Sequence, residues 1–190
     1  MSDSRLWLTR ISLCLAVALS SFAATSAYAN SANTTTTKGA QQVSFRVTSP
    51  DTGRQTVATV SKQDLECLAE ALYFEARGEG TQGQRAVAEV ILNRVDHPRF
   101  PKTVCGVVNQ RGQFSYKGRV SPRIHETGAY ARVKNVAIAA LAGAAPRTLT
   151  NGATYFHTGG VRPSWSRRFE RTTRIGAHIF YRADRRLASN

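Results

Sequence analysis

The sequence predicts an α+β domain, mainly helical with a small β element near its C-terminus. Three observations carry this expectation. Apolar residues recur at helical spacing in several runs between residues 65 and 141. After Pro146 the pattern changes to short, aromatic, β-prone runs bounded by glycines. The order is helices first and strands after, which suits segregated α+β architecture rather than an alternating one.

The elements follow in chain order. Arg5 and Arg10 give a positive start, Ile11–Leu19 begins an apolar run, and Ala27-Tyr28-Ala29 is a small-x-small cleavage pattern. Residues 1–29 therefore read as a secretory signal peptide cut before Asn30. The run is short for a membrane span, which disfavours an uncleaved anchor. An exported protein is expected, in the periplasm or associated with the cell wall. Residues 30–62 are rich in Thr, Ser, Gln and Val and read as a flexible or partly extended linker. Residues 63–190 make one domain with a core of its own.

Asp64 caps a first helix whose apolar face is Leu65, Leu68, Ala69, Leu72 and Tyr73, and Gly78 and Gly80 end it. Thr81 caps a second, with Val87, Val90, Ile91 and Val95 inward, stopped by Pro98. A short helix covers 103–110, and residues 111–125 are a polar, glycine-containing loop. A long helix spans about 126–141, with Tyr130, Val133, Val136, Ala137 and Ala140 inward. Two strands follow at 153–157 and 177–181, separated by a turn-rich segment.

Cysteine and charge narrow the class. With Cys14 in the leader, Cys67 and Cys105 remain, and an even pair in an exported chain suggests a disulfide. No CxxC or clustered Cys/His spacing implies a metal site, and no cofactor is expected. The formal net charge is +14, and much of the excess is late arginine. Such a surface attracts polyanions. No nucleic-acid motif is present, so no specific nucleic-acid partner is expected, and the contact foreseen is electrostatic, with an anionic envelope surface. A monomer is expected.

The chemistry-bearing stretch is Tyr73-Phe74-Glu75-Ala76-Arg77-Gly78-Glu79. Burial against rings raises a glutamate pKa, so the group holds a proton near neutral pH and can donate it. Glu75 is the first candidate for such an acid. Glu79 is the second, although a structural role is favoured for it, pairing with Arg77 or Arg85 or contacting N–H groups at the start of the next helix. Tyr155, Trp165, Phe114 and Tyr181 can offer rings on which the C–H face of a sugar packs. Ser115, His157 and His178 complete the candidate substrate-binding set. A Ser115–His157–Asp184 triad is weak, because no G-x-S-x-G elbow appears.

Cys67–Glu79, Gly83–Val95, Phe100–Val108, Gln113-Phe114-Ser115 and Ile175–Tyr181 together resemble the SleB/CwlJ-type cell wall hydrolases. The resemblance spans about 65–182. It implies a lysozyme-like catalytic domain acting on peptidoglycan, with the glutamate at Glu75 as the acid. It further implies lytic transglycosylation between N-acetylmuramic acid and N-acetylglucosamine. Four alternatives stay open: a hydrolytic muramidase with Glu79 assisting, an N-acetylmuramoyl-L-alanine amidase, a non-catalytic peptidoglycan-binding module and a cationic binder of anionic polymers.

Overall fold

The computed structural model describes residues 33–37, 40–48, 53–117 and 123–183. The expected signal peptide lies outside them. Strands β1 (Asn33–Thr37), β2 (Ala40–Thr48) and β3 (Gln55–Ser61) form an antiparallel meander. Helices α1 (Lys62–Ala76), α2 (Thr81–Asp96), α3 (Val104–Val108) and α4 (Thr127–Leu141) follow. Strands β4 (Tyr155–Thr158), β5 (Glu170–Ile175) and β6 (His178–Arg182) form a second antiparallel sheet in the order β4-β6-β5.

The meander occupies the stretch in which the sequence suggests a flexible linker. Val43, Phe45 and Val47 alternate along β2 and are buried, with Val60 opposite Val43 on β3. Period-two alternation puts them on one face, and they join the same core cluster as the apolar face of α1. Ser44, Arg46 and Thr48 take the other face, so overall composition hides the pattern.

At the start of α1, Ser61 is the cap, its hydroxyl accepting from the Asp64 amide at 3.3 Å. Asp64, the expected cap, instead accepts from the Cys105 amide at 3.3 Å and so holds the start of α3 against α1. The Cys67–Cys105 disulfide, with Cα atoms 5.3 Å apart, fixes the same two elements covalently. The first residue of α2 is Thr81 itself, and its cap position is Gly80. The bend between α1 and α2 is closed by Gln84, whose side-chain amide donates to the Glu79 carbonyl at 3.0 Å.

The inward positions expected on the three longer helices are where burial places them. Leu68, Leu72, Val87, Ile91 and Val133 are fully buried and pack with Val107 and Val108 of α3. A smaller cluster of Ala86, Val90, Ala153 and Phe180 seats α2 against the second sheet. Strand β5 is absent from the sequence reading, because Glu170-Arg-Thr-Thr-Arg-Ile175 has no apolar alternation. It is an exposed edge held by backbone pairing to β6 and by an Arg182–Glu170 ion pair at 2.7 Å.

The polar edge of α2 positions the site. Buried Glu89 accepts from the Leu149 and Thr150 amides at 3.0 and 2.9 Å and from the Thr150 hydroxyl at 2.6 Å. The Asn93 side chain donates to the Ala153 carbonyl at 3.0 Å, and Arg94 Nε donates to the Thr154 carbonyl at 2.6 Å. These bonds clamp residues 149–154 to α2 and set where β4 begins.

Replacing Cys67 and Cys105 together by Ser is expected to lower unfolding stability by about 3–4 kcal/mol, from the chain-entropy term for a loop of this size. Urea denaturation of the oxidised wild type beside the double variant measures it; equal midpoints would remove the disulfide from the stability of the fold.

Candidate active site

Glu75 lies in the last turn of α1, partly buried. Before it, Phe74 stacks on Tyr116 with centroids 4.6 Å apart and meets Tyr73 edge-on at 4.9 Å. Burial raises the Glu75 pKa above the ordinary carboxylate value, and the Arg94 guanidinium acts in the opposite direction more weakly. The carboxyl thus keeps its proton to higher pH, while a cation stands by to stabilise the ionised form.

Arg94 is buried, with its guanidinium carbon 5.4 Å from the Phe100 ring centroid, 5.6 Å from Tyr155 and 5.8 Å from Phe114. Rings on several sides compensate a desolvated cation through their quadrupoles. Burial lowers its pKa to about 10, with Tyr155 and Glu75 opposing, so it stays charged at neutral pH. Its Nη1 is buried with no hydrogen-bond partner among the described residues. Tyr116 is held neutral: burial pushes its phenol up, and Glu70 and Glu75 add to the effect. Its hydroxyl also has no hydrogen-bond partner among the described residues. Lys117 pairs with Glu70 at 2.8 Å and ties this loop to α1.

Arg94 and Tyr116 were missed as site residues in the sequence. A signal for Arg94 exists: it falls seven residues after Val87 and three after Ile91, on the apolar stripe of α2, where a charge has to be explained.

The structure sorts the aromatic candidates. Tyr155 lies 5.3 Å from Trp165 and 4.7 Å from Phe169, and Trp165 stacks on Phe169 at 5.6 Å; all three are partly exposed. Phe114 and Tyr181 are buried instead, so neither offers a free ring face. Phe114 lies beneath Arg94, and Tyr181 packs edge-on against Trp165 and stacks on His157. Ser115 is exposed beside Phe114.

Both candidate histidines serve contacts within the fold. His157 is buried, with Nδ1 2.7 Å from the Thr158 carbonyl and Nε2 3.0 Å from the Tyr181 hydroxyl. His178 is buried with Nδ1 3.6 Å from a Glu79 oxygen; burial lowers its pKa and Glu79 opposes this.

Glu79 stands apart from the Glu75 cluster. Its oxygens accept from the Ala177 amide at 3.3 and 3.4 Å, so it fastens the α1–α2 bend to the β5–β6 turn. Neither Arg77, Arg85 nor the start of α2, the partners suggested by the sequence, holds its carboxylate in these bonds. Gly176 makes the contact possible: its φ is +57°, and a Cβ there would collide with the Glu79 carboxylate. The carboxylate is thus engaged by the turn, a structural role of the kind the sequence favours for it but with a different partner.

A family model described as Cell Wall Hydrolase matches residues 78–181. It begins just after Glu75, so the case for that residue rests on its geometry. The chain is 38% identical over 128 residues to a spore cortex-lytic enzyme of Halalkalibacterium halodurans, covering 65% of this chain and 36% of the relative. It is 34% identical over 122 residues to one of Bacillus subtilis, covering 63% and 38%. The chain therefore spans little more than a third of these curated relatives' length.

Two solved structures are similar. One is the catalytic domain of the germination-specific lytic transglycosylase SleB from Bacillus anthracis, at TM-score 0.52 and 34% identity, covering 65% of this chain and 97% of that one. The other is the catalytic domain of the Bacillus cereus SleB protein, at TM-score 0.53 and 34% identity, covering 64% and 91%. The lysozyme-like α+β fold is the one these share with the chain.

Because folding raises the Glu75 pKa, the native state binds that proton more tightly than the unfolded chain. The stability tied to it is present below the unfolded value of 4.5 and is lost as pH rises toward the folded value. Glu75→Gln, neutral throughout, is expected to raise Tm at neutral pH, with the gain shrinking as the pH falls toward about 4.5 and gone below it. Calorimetric scans across pH check this; a Tm lowered at neutral pH would contradict the assigned environment.

Proposed function

The chain belongs to the cell wall hydrolase family, and on that premise we propose that it cleaves peptidoglycan glycan strands as a lytic transglycosylase with Glu75 as its single catalytic acid. The observation that carries the proposal is one partly buried carboxyl of raised pKa beside a fixed cation and a set of half-exposed rings. The lytic transglycosylase activity in the name of the Bacillus anthracis neighbour supports the reading.

In this mechanism protonated Glu75 donates to the oxygen joining N-acetylmuramic acid to N-acetylglucosamine, and the bond from C1 to that oxygen breaks. The sugar passes through an oxocarbenium-like transition state. The muramyl 6-hydroxyl then attacks C1, and the Glu75 carboxylate takes the hydroxyl proton. The acid is regenerated, and the product carries a 1,6-anhydro ring. Arg94 stabilises the carboxylate between the two transfers.

A retaining hydrolase needs a second carboxyl about 5–5.5 Å away as nucleophile, and an inverting one needs a base at about 6.5–9.5 Å. Glu79 is engaged by the Ala177 amide, and Glu70 by Lys117. An internal nucleophile from the substrate removes the need for either. Trp165 and Tyr155 supply the surface on which a sugar face packs. Peptidoglycan is the substrate, and the site of action is outside the cytoplasm, at the wall.

Digestion of purified peptidoglycan is expected to yield anhydromuramyl ends by mass spectrometry. Glu75→Gln should lose at least about a hundredfold in rate, the usual contribution of a general acid. Reducing muramyl ends would overturn transglycosylation in favour of hydrolysis, and free stem peptides would indicate an amidase. Trp165→Ala is expected to raise KM more than it lowers kcat; an unchanged KM would remove Trp165 from the sugar surface.

A further inference from the structure

On the far side of the α1–α2 pair lies a cleft of about 540 Å³ that the mechanism does not use. Arg77, Arg85 and Arg132 line it, together with Glu79 and the apolar side chains of Val136 and Ala139. Helical geometry separates it from the Glu75 centre. Arg77 follows Glu75 by two residues, about 200° around the axis of α1. Arg85 precedes Arg94 by nine residues, about 180° around α2. Glu75 and Arg94 therefore face one side of the helix pair, and Arg77 and Arg85 the other.

The cations of this cleft are incompletely neutralised. Arg77 gives its Nε to Glu126 at 2.8 Å, but Arg85 and Arg132 form no ion pair among the described residues. The Nε of Arg85 is buried without a hydrogen-bond partner among them. A buried N–H left without an acceptor is costly, and an arriving oxyanion would satisfy it.

The shape and mix of the lining select among anions. The volume lies within the range of small-molecule sites and is far larger than a single phosphate requires. The Glu79 carboxylate would repel a phosphate but accepts an ammonium or amide N–H. Apolar side chains, three arginines and one carboxylate in the same lining fit a short peptide that carries both carboxylates and an amine.

We propose that this cleft is a second, non-catalytic site that binds the acidic stem peptide of peptidoglycan. It rests on the reading of peptidoglycan as substrate. It gives the protein a hold on a peptide of the wall while the opposite face works on a glycan strand.

The test is calorimetric titration of a stem tetrapeptide containing a diamino acid into the full chain carrying Glu75→Gln, with and without Arg132→Glu. Thermal melts check that both variants fold. Binding weakened about tenfold or more by Arg132→Glu, the loss of one charge-assisted contact, is the expected result. Binding unchanged by Arg132→Glu, or absent altogether, overturns the site. So does displacement of the peptide by an equal concentration of inorganic phosphate, which would mean a bare anion site. In the background with Glu75 intact, Arg132→Glu should digest peptide-free glycan at the wild-type rate. Loss of that activity would merge the cleft with the catalytic centre and overturn its separateness. Glycan cleavage without tetrapeptide binding sinks only this site. Tetrapeptide binding without glycan cleavage sinks only the catalytic reading.

Discussion

A single buried guanidinium organises this domain. Arg94 comes from the apolar stripe of α2, bonds the chain leading into β4, lies among Phe100, Phe114 and Tyr155, and faces Glu75 electrostatically. A charge so placed is costly unless its surroundings are fixed. The rings and the Thr154 carbonyl are the fixing. They bring together four parts of the chain that are remote in sequence: the end of α1, the end of α2, the loop after α3 and the start of the second sheet. The field at Glu75 thus follows from how the core is closed, and the acid and its support are aspects of one packing arrangement.

The same frame explains why two glutamates four residues apart take different parts. Glu75 is on the continuous helix, where burial works against ionisation. Glu79 is past Gly78, where the chain has left α1 and its carboxylate reaches the β5–β6 turn. Had the helix continued, the two side chains would have been neighbours on one face. The glycine-broken bend separates them, and a glycine in the left-handed region at Gly176 receives the second.

Much of the helical framework was legible in the sequence. Leu65, Leu68, Leu72, Val87, Ile91 and Val133 repeat at a period that permits little else, and α1, α2 and α4 run close to their expected bounds. The Cys67–Cys105 pair was legible from its parity once Cys14 is assigned to the expected leader. Less legible were features set by distant partners. Strand β5 exists because β6 offers it a backbone edge. The meander was masked by its Thr and Ser content. Phe114, Tyr181, His157 and His178 carry side chains suited to sugar, and only the tertiary arrangement shows them buried against other parts of the fold. Glu75 could be read because its neighbours in sequence are also its neighbours in space. Arg94 signals its burial on the apolar stripe of α2, but its place beside Glu75 could not be read, since Glu75 lies nineteen residues behind it and Thr154 and Tyr155 about sixty ahead.

The meander carries a consequence for handling the protein. Val43, Phe45, Val47 and Val60 belong to the same core as α1. A recombinant fragment cut just before α1, where the helical part begins, would also lose Ser61, the cap of that helix. Its purification would then bring out an uncovered oily face and a tendency to clump. The productive starting point for expression is upstream of β2, so that the helix bearing Glu75 leaves the ribosome with its own cover attached.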